Sequence, residues 1–166
     1  EGDLGPGVTA KDVIMKVVQV VGAGGANGYA VEFAGSAIRA QDMAGRMTIC
    51  NMAVELGARA ALMDADDVAY RMAAGRAHSD MLHFDAQEWS ADAHADYDKT
   101  FHFDAAQIAP LISWGTSPDQ SVPIDGTVPV ATDDMTPKAR AALDRALAYM
   151  GLKPGQLVQD IPIDSA

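Results

Sequence analysis

The sequence predicts an α/β domain built around a mainly parallel sheet. Three observations carry this. Apolar stripes at helical spacing alternate with short extended apolar runs, glycines mark the changes between them, and no internal repeat interrupts the alternation.

Taken in order, the first helix is announced by Thr9 and Asp12, a Thr-x-x-Asp start whose cap contributes about 1 kcal/mol. Val13, Ile14, Val17, Val18 and Val21 then form one apolar stripe. The helix stops in GAGGANG, residues 22–28, where glycine supplies turn conformations at little steric cost. YAVEFAG, residues 29–35, reads as a short strand.

A second helix is expected over about Arg46 to Leu56, closed by Gly57, with ARAALM (58–63) after it as a buried strand. DADDVAYRMAAG (64–75) reads as a helix capped by Asp64 or Asp66. Residues 77–97 are polar, rich in Asp and His, and read as a loop. KTFHFD (99–104) alternates as a strand, and DAAQIAP (104–110) is one helical turn. Residues 113–134 carry Pro and Gly repeatedly and are read as turns and short extended pieces. TPKARAALDRALAYMGLKPG (136–155) is the clearest helix, with Thr136 as cap, Pro137 first and Gly151 at its end. The last ten residues read as extended.

Composition narrows the function classes. At 166 residues, 49% apolar and 21% charged, the chain is long enough for one domain with a real core and is no disordered tail. A net charge of -11 with scattered Lys and Arg argues against nucleic-acid binding, which needs clustered basic side chains. No apolar run approaches a membrane span; the longest, Val13 to Val21, is broken by Lys16 and Gln19. No signal peptide is visible, and the chain does not begin with Met. The single Cys50 rules out an intrachain disulfide and suits a reducing, cytoplasmic compartment.

Several side-chain groups invite a chemical reading. Gly22, Gly24, Gly25 and Gly28 resemble a phosphate loop in composition, but the order is helix, glycines, strand. A dinucleotide fingerprint needs the reverse, so a tight turn is expected. Asp64, Asp66 and Asp67 could hold a divalent cation, although helix capping explains them as well and is favoured. His78, His83, His94 and His102 lack metal-site spacing. Asn51 and Glu55 are harder to set aside. They lie one helical turn apart, with Thr48, while Met47, Ile49, Cys50, Met52, Ala53, Val54 and Leu56 cover the rest of the wheel. A helix apolar on most of its circumference is expected to be buried, and a buried carboxylate needs a partner, a proton or a wet cavity. An ion pair of Glu55 with Arg59 or Arg46 and a functional role stand level on pattern alone.

At these residues a family resemblance enters. GRMTICNMAVELGARAAL closely resembles a segment of the aconitase superfamily. GVTAKDVIMKVV, GYAVEFAGSAIR, IAPLISWGTSP and ALAYMGLKPG with IPID are similar to the large subunit of 3-isopropylmalate dehydratase, in the same order along nearly the whole chain. The resemblance implies an aconitase-like three-layer α/β/α domain, residues 1–166 corresponding to the second α/β domain of the large subunit.

The same resemblance implies a 4Fe-4S hydro-lyase that interconverts 2-isopropylmalate and 3-isopropylmalate through dehydration and rehydration, in leucine biosynthesis. Asn51 matches the family asparagine near the cluster, and Glu55 the active-site glutamate that handles water or hydroxyl. The cluster needs three thiolates, and the chain has one cysteine, which matches a non-ligand position. No cluster is therefore expected on this stretch alone. The family's first cluster cysteine follows an Ile-Asp like Ile163-Asp164, its histidine and aspartate acid/base groups precede this region, and its serine base and some substrate arginines belong to a swivelling domain, a separate small subunit in bacteria. The expected partners are the remaining large-subunit domains, that small subunit and a hydroxy-acid substrate. The family commonly has Ala-Pro-Asp where Asp64-Ala65-Asp66 stands, and Asn-Pro-Gly-Gln at 117–120, so a homoaconitase or aconitase-type hydro-lyase is the near alternative. A stand-alone α/β interaction module is the distant one.

Overall fold

A computed structural model describes residues 1–74, 90–92 and 94–163. Its first helix, α1 (Ala10–Val21), begins where Thr9 and Asp12 predict. The Asp12 carboxylate accepts the Thr9 N–H at 2.7 Å and the Thr9 hydroxyl at 2.6 Å. It also accepts the Leu111 N–H at 2.7 Å, so one side chain fixes the helix start and a distant strand together. Asp12 is only 8% exposed. Burial pushes its pKa up, yet the bonds from Thr9 and Leu111 outweigh this and leave it below the ordinary value.

Beyond the glycine turn, β1 (Ala30–Glu32) is followed by α2 (Ser36–Arg39) and α3 (Met43–Met52) before β2 (Ala60–Leu62). β1 and β2 pair in parallel, Ala30 opposite Ala60 and Glu32 opposite Leu62. The α/β class with a parallel sheet is thus realised as a strand–helix–strand crossover. α1 packs on α3, and Val13, Ile14, Val18, Phe33, Ile49, Leu56 and Ile108 form the core between helices and sheet.

The crossover is locked by Arg46, 5% exposed. Its guanidinium donates to both Asp66 oxygens at 2.7 Å, to the Arg39 carbonyl at 2.8 Å and to the Gln41 carbonyl at 3.0 Å. Asp66 in turn accepts from the Val68 and Ala69 N–H groups, capping α4 (Asp67–Ala74). Asp66 therefore serves capping, as the sequence favoured, while Asp64 accepts the Ala91 N–H at 3.3 Å. No group of three or more potential metal ligands occurs among the described residues.

The second part is an antiparallel pair, β3 (Leu111–Ser113) with β4 (Ser121–Pro123), and α5 (Pro137–Met150). Trp114, Val128, Leu143, Ala146 and Leu147 make its own apolar cluster. α5 matches expectation at both ends: Thr136 Oγ1 accepts from the Ala139 N–H at 3.2 Å, and Gly151 takes the left-handed conformation at φ 67°. Gln19 of α1 donates to the Ser121 carbonyl at 2.7 Å, a second link between the two parts.

Four expectations need correction. The second helix starts three residues earlier, because Asp42 accepts the Gly45 N–H at 2.8 Å and caps it there. ARAALM is not a buried strand: Ala60 is exposed and Leu62 is 56% exposed, since β2 lies at the sheet's edge among the described residues. Residues 99–104 join no ladder despite their alternation. Within the tail, Val158–Asp160 form a 3-10 segment instead of extended chain. Most of the 77–97 reading, with His78 and His83, lies outside the described residues. His94 and His102 are exposed.

The bonds from Arg46 hold the Asp66 carboxyl down to about 2, against an ordinary 3.8. A depressed pKa contributes stability that is complete above the ordinary value and disappears as pH falls through the folded one. Urea titrations should therefore show stability falling between about pH 4 and pH 2, and Asp66→Asn should remove part of that fall. Asp66→Ala should cost about 2–3 kcal/mol at pH 7 by stranding a buried guanidinium and uncapping α4. A loss below about 0.5 kcal/mol would contradict this role.

Candidate functional site

Asn51 and Glu55 sit where α3 tightens into a 3-10 turn, Ala53–Leu56, ended by Gly57. Gly57 is required for two reasons. Its φ of 77° is left-handed, and a Cβ there would strike the Asn27 side chain. The turn's last carbonyls are taken up by the glycine loop. Gly24 N–H donates to the Glu55 carbonyl at 3.3 Å, and Ala26 N–H to the Leu56 carbonyl at 2.8 Å. The loop that resembles a phosphate cradle in composition is thus the cap of the segment bearing Glu55. Sequence reading identified the turn but not this partner. Only the spacing of two chain-distant segments would have revealed it.

The expected burial of this helix is not what the fold produces. Ile49, Ala53 and Leu56 face the core, and the opposite side lies open: Asn51 and Glu55 are exposed, Met47 is 50% exposed and Val54 67%. The wheel identifies which residues are apolar, and the packing partner decides which of them are covered. Neither proposed ion pair forms among the described residues. Arg46 is committed to Asp66, and Arg59 is exposed with no ion pair to a described carboxylate. The Asn51 and Glu55 side chains carry no hydrogen bond to any described residue. Thr48, on the same stripe, bonds back to the Ala44 carbonyl at 2.9 Å.

Chemically, the face offers a free carboxylate, which can hold or release a proton, beside an amide able to donate and accept. Both side chains are exposed, and neither lines either of the two cavities beside this segment. Met52, next in sequence to Asn51, does line one of about 500 Å³ together with Asp12, Ser113 and the Gly115–Pro118 loop. A second, apolar space of about 440 Å³ lies on the far side of the core, reached by Leu56.

The donor set does not fit an iron–sulfur cluster. Three thiolates are needed, and Cys50 stands alone, half-buried, its thiol pushed up by burial and so less able to ligate. Among the described residues no helix is long and apolar enough to cross a membrane.

A family model described as the aconitase family, aconitate hydratase, matches residues 1–166, and the chain belongs to that family. Its members are hydro-lyases, so the chain is a domain of the hydro-lyase type.

Because the Glu55 and Asn51 side chains are exposed and bond to no described residue, Glu55→Gln and Asn51→Ala should each leave stability within about 0.5 kcal/mol of the parent in urea. Gly57→Ala, which disturbs the turn presenting them, should cost about 2 kcal/mol in the same measurement.

Proposed function

We propose, from membership of the aconitase family, that the chain is the internal α/β domain of a 3-isopropylmalate dehydratase large subunit. It contributes Asn51 and Glu55 to an active site completed by other domains. The observation that supports this reading is an exposed amide at the end of α3 and an exposed carboxylate in the turn after it, neither side chain bonded to a described residue, flanked by exposed Met47 and Val54. A face with a polar pair inside an apolar border is suited to being covered by another module.

In the assembled enzyme the reaction removes water from 2-isopropylmalate and returns it to the adjacent carbon, a step of leucine biosynthesis. Glu55 exchanges a proton with the departing and incoming water, and Asn51 orients the same oxygen by hydrogen bonding. The 4Fe-4S cluster of such an enzyme is held elsewhere, since this chain cannot supply its thiolates. The partners are the remaining large-subunit domains, the small swivelling subunit and a hydroxy-acid substrate. An aconitase-type substrate is the second reading, favoured by the description of the matching family model.

The test is the complete two-subunit enzyme assayed on 2-isopropylmalate, citrate and homocitrate. Preference for the first is expected. Glu55→Gln should lower kcat by about 100-fold or more with little change in KM, as removal of a general acid–base does. Activity within about threefold of the parent would overturn the role of Glu55, and preference for citrate would assign the aconitase-type substrate.

A further inference from the structure

The apolar cavity beside β1 has the form of a missing strand. One wall is the continuous run Tyr29–Gly35, which contains β1, and the other is the continuous run Asp96–Phe103. The floor is apolar, with Val13, Val17, Leu56 and Ile108, and the space measures about 440 Å³. β1 pairs with β2 along one edge, and its other edge meets no strand among the described residues. The facing run joins no ladder either, so two backbone edges look at each other across a gap.

The two runs ascend in the same direction. Lys99 lies 4.9 Å from the Tyr29 ring centre at one end. At the other end Glu1 joins them. The Glu1 amine donates to the Phe103 carbonyl at 2.7 Å, and the Glu1 carbonyl accepts the Ala105 N–H at 2.7 Å. Donating to the residue before a position and accepting from the residue after it is the rung of a parallel ladder, here centred on Asp104. On its other flank the Glu1 carboxylate accepts the Ser36 N–H at 2.9 Å and the Ser36 hydroxyl at 2.7 Å, at the exit of β1. Glu1 therefore already stands as one strand residue between the two walls, at the end of the slot.

We propose that the slot seats an extended strand of this protein's own chain, running parallel to β1 and continuous with the Glu1 amide. It would join β2, β1 and the 99–103 run into one parallel sheet. A peptide suits this space better than a small apolar ligand. The walls present backbone donors and acceptors that only another backbone can satisfy along their length, and the floor takes alternate apolar side chains. This also accounts for the alternation of KTFHFD without a partner: the segment has the pattern of a strand, and its neighbour is the segment continuing backward from Glu1.

The experiment extends the 166-residue chain upstream of Glu1 by about five residues, Val-Thr-Val-Thr-Val in one version and Thr-Val-Thr-Val-Thr in another. A control carries proline at alternate positions, which removes the N–H donors. Amide exchange is followed by mass spectrometry. One register of the extension should slow exchange at both 29–35 and 96–103 by about tenfold or more, and the proline control should not. Unchanged exchange, slowing in only one run, or equal slowing by the control would overturn the proposal. Saturable benzene binding with unchanged exchange would also overturn it and assign the space to a small apolar ligand.

Discussion

The geometry of the candidate site rests on one constraint: the carbonyls that end the Ala53–Leu56 turn must find donors, and the glycine loop supplies them. Gly24 and Ala26 reach those carbonyls only because the loop lies directly against the turn, and Gly57 leaves room for Asn27 between them. A side chain at Gly57 would separate the two segments. An unmet carbonyl there would cost a kilocalorie or more and loosen the turn. The outward direction of Glu55 thus follows from backbone satisfaction, not from any contact of its own side chain.

Three carboxylates show how differently the fold treats charge. Asp12 and Asp66 are each drawn into several hydrogen bonds, lie below their ordinary pKa and join segments far apart in the chain. The Glu55 carboxylate joins no described residue. In a molecule that uses its interior acids as fasteners, an acid left free beside an amide and two exposed apolar side chains has no structural task among the described residues. That contrast, more than any single distance, separates the structural acids from the candidate functional one.

How much of this was legible in the sequence follows from the range of the interactions concerned. Local rules located α1 and α5 almost to the residue, because Thr9, Thr136, Pro137 and Gly151 act within one turn of where they stand. The glycine turn and the capping role of Asp66 were readable for the same reason. Burial was not. The apolar wheel of α3 suggested a helix covered on nearly all sides, yet half of it is open, because coverage depends on which elements arrive from elsewhere. The choice of Asp66 as the partner of Arg46, twenty residues away, was equally hidden. KTFHFD carries a strand's alternation without a ladder, since pairing needs a neighbour and alternation alone cannot provide one. Asn51 and Glu55 were singled out by spacing and family resemblance, whereas their exposure came from the fold.

The account stands on the claim that the Asn51–Glu55 face is open on this domain and covered in the complete enzyme. Carbodiimide coupling of an amine to carboxylates, read by peptide mass spectrometry, tests it most directly. In the isolated chain Glu55 should react as readily as other exposed acids, and Asp12 should resist. In the assembled enzyme Glu55 should become protected. Resistance of Glu55 in the isolated chain, or equal reactivity in both states, would contradict the account.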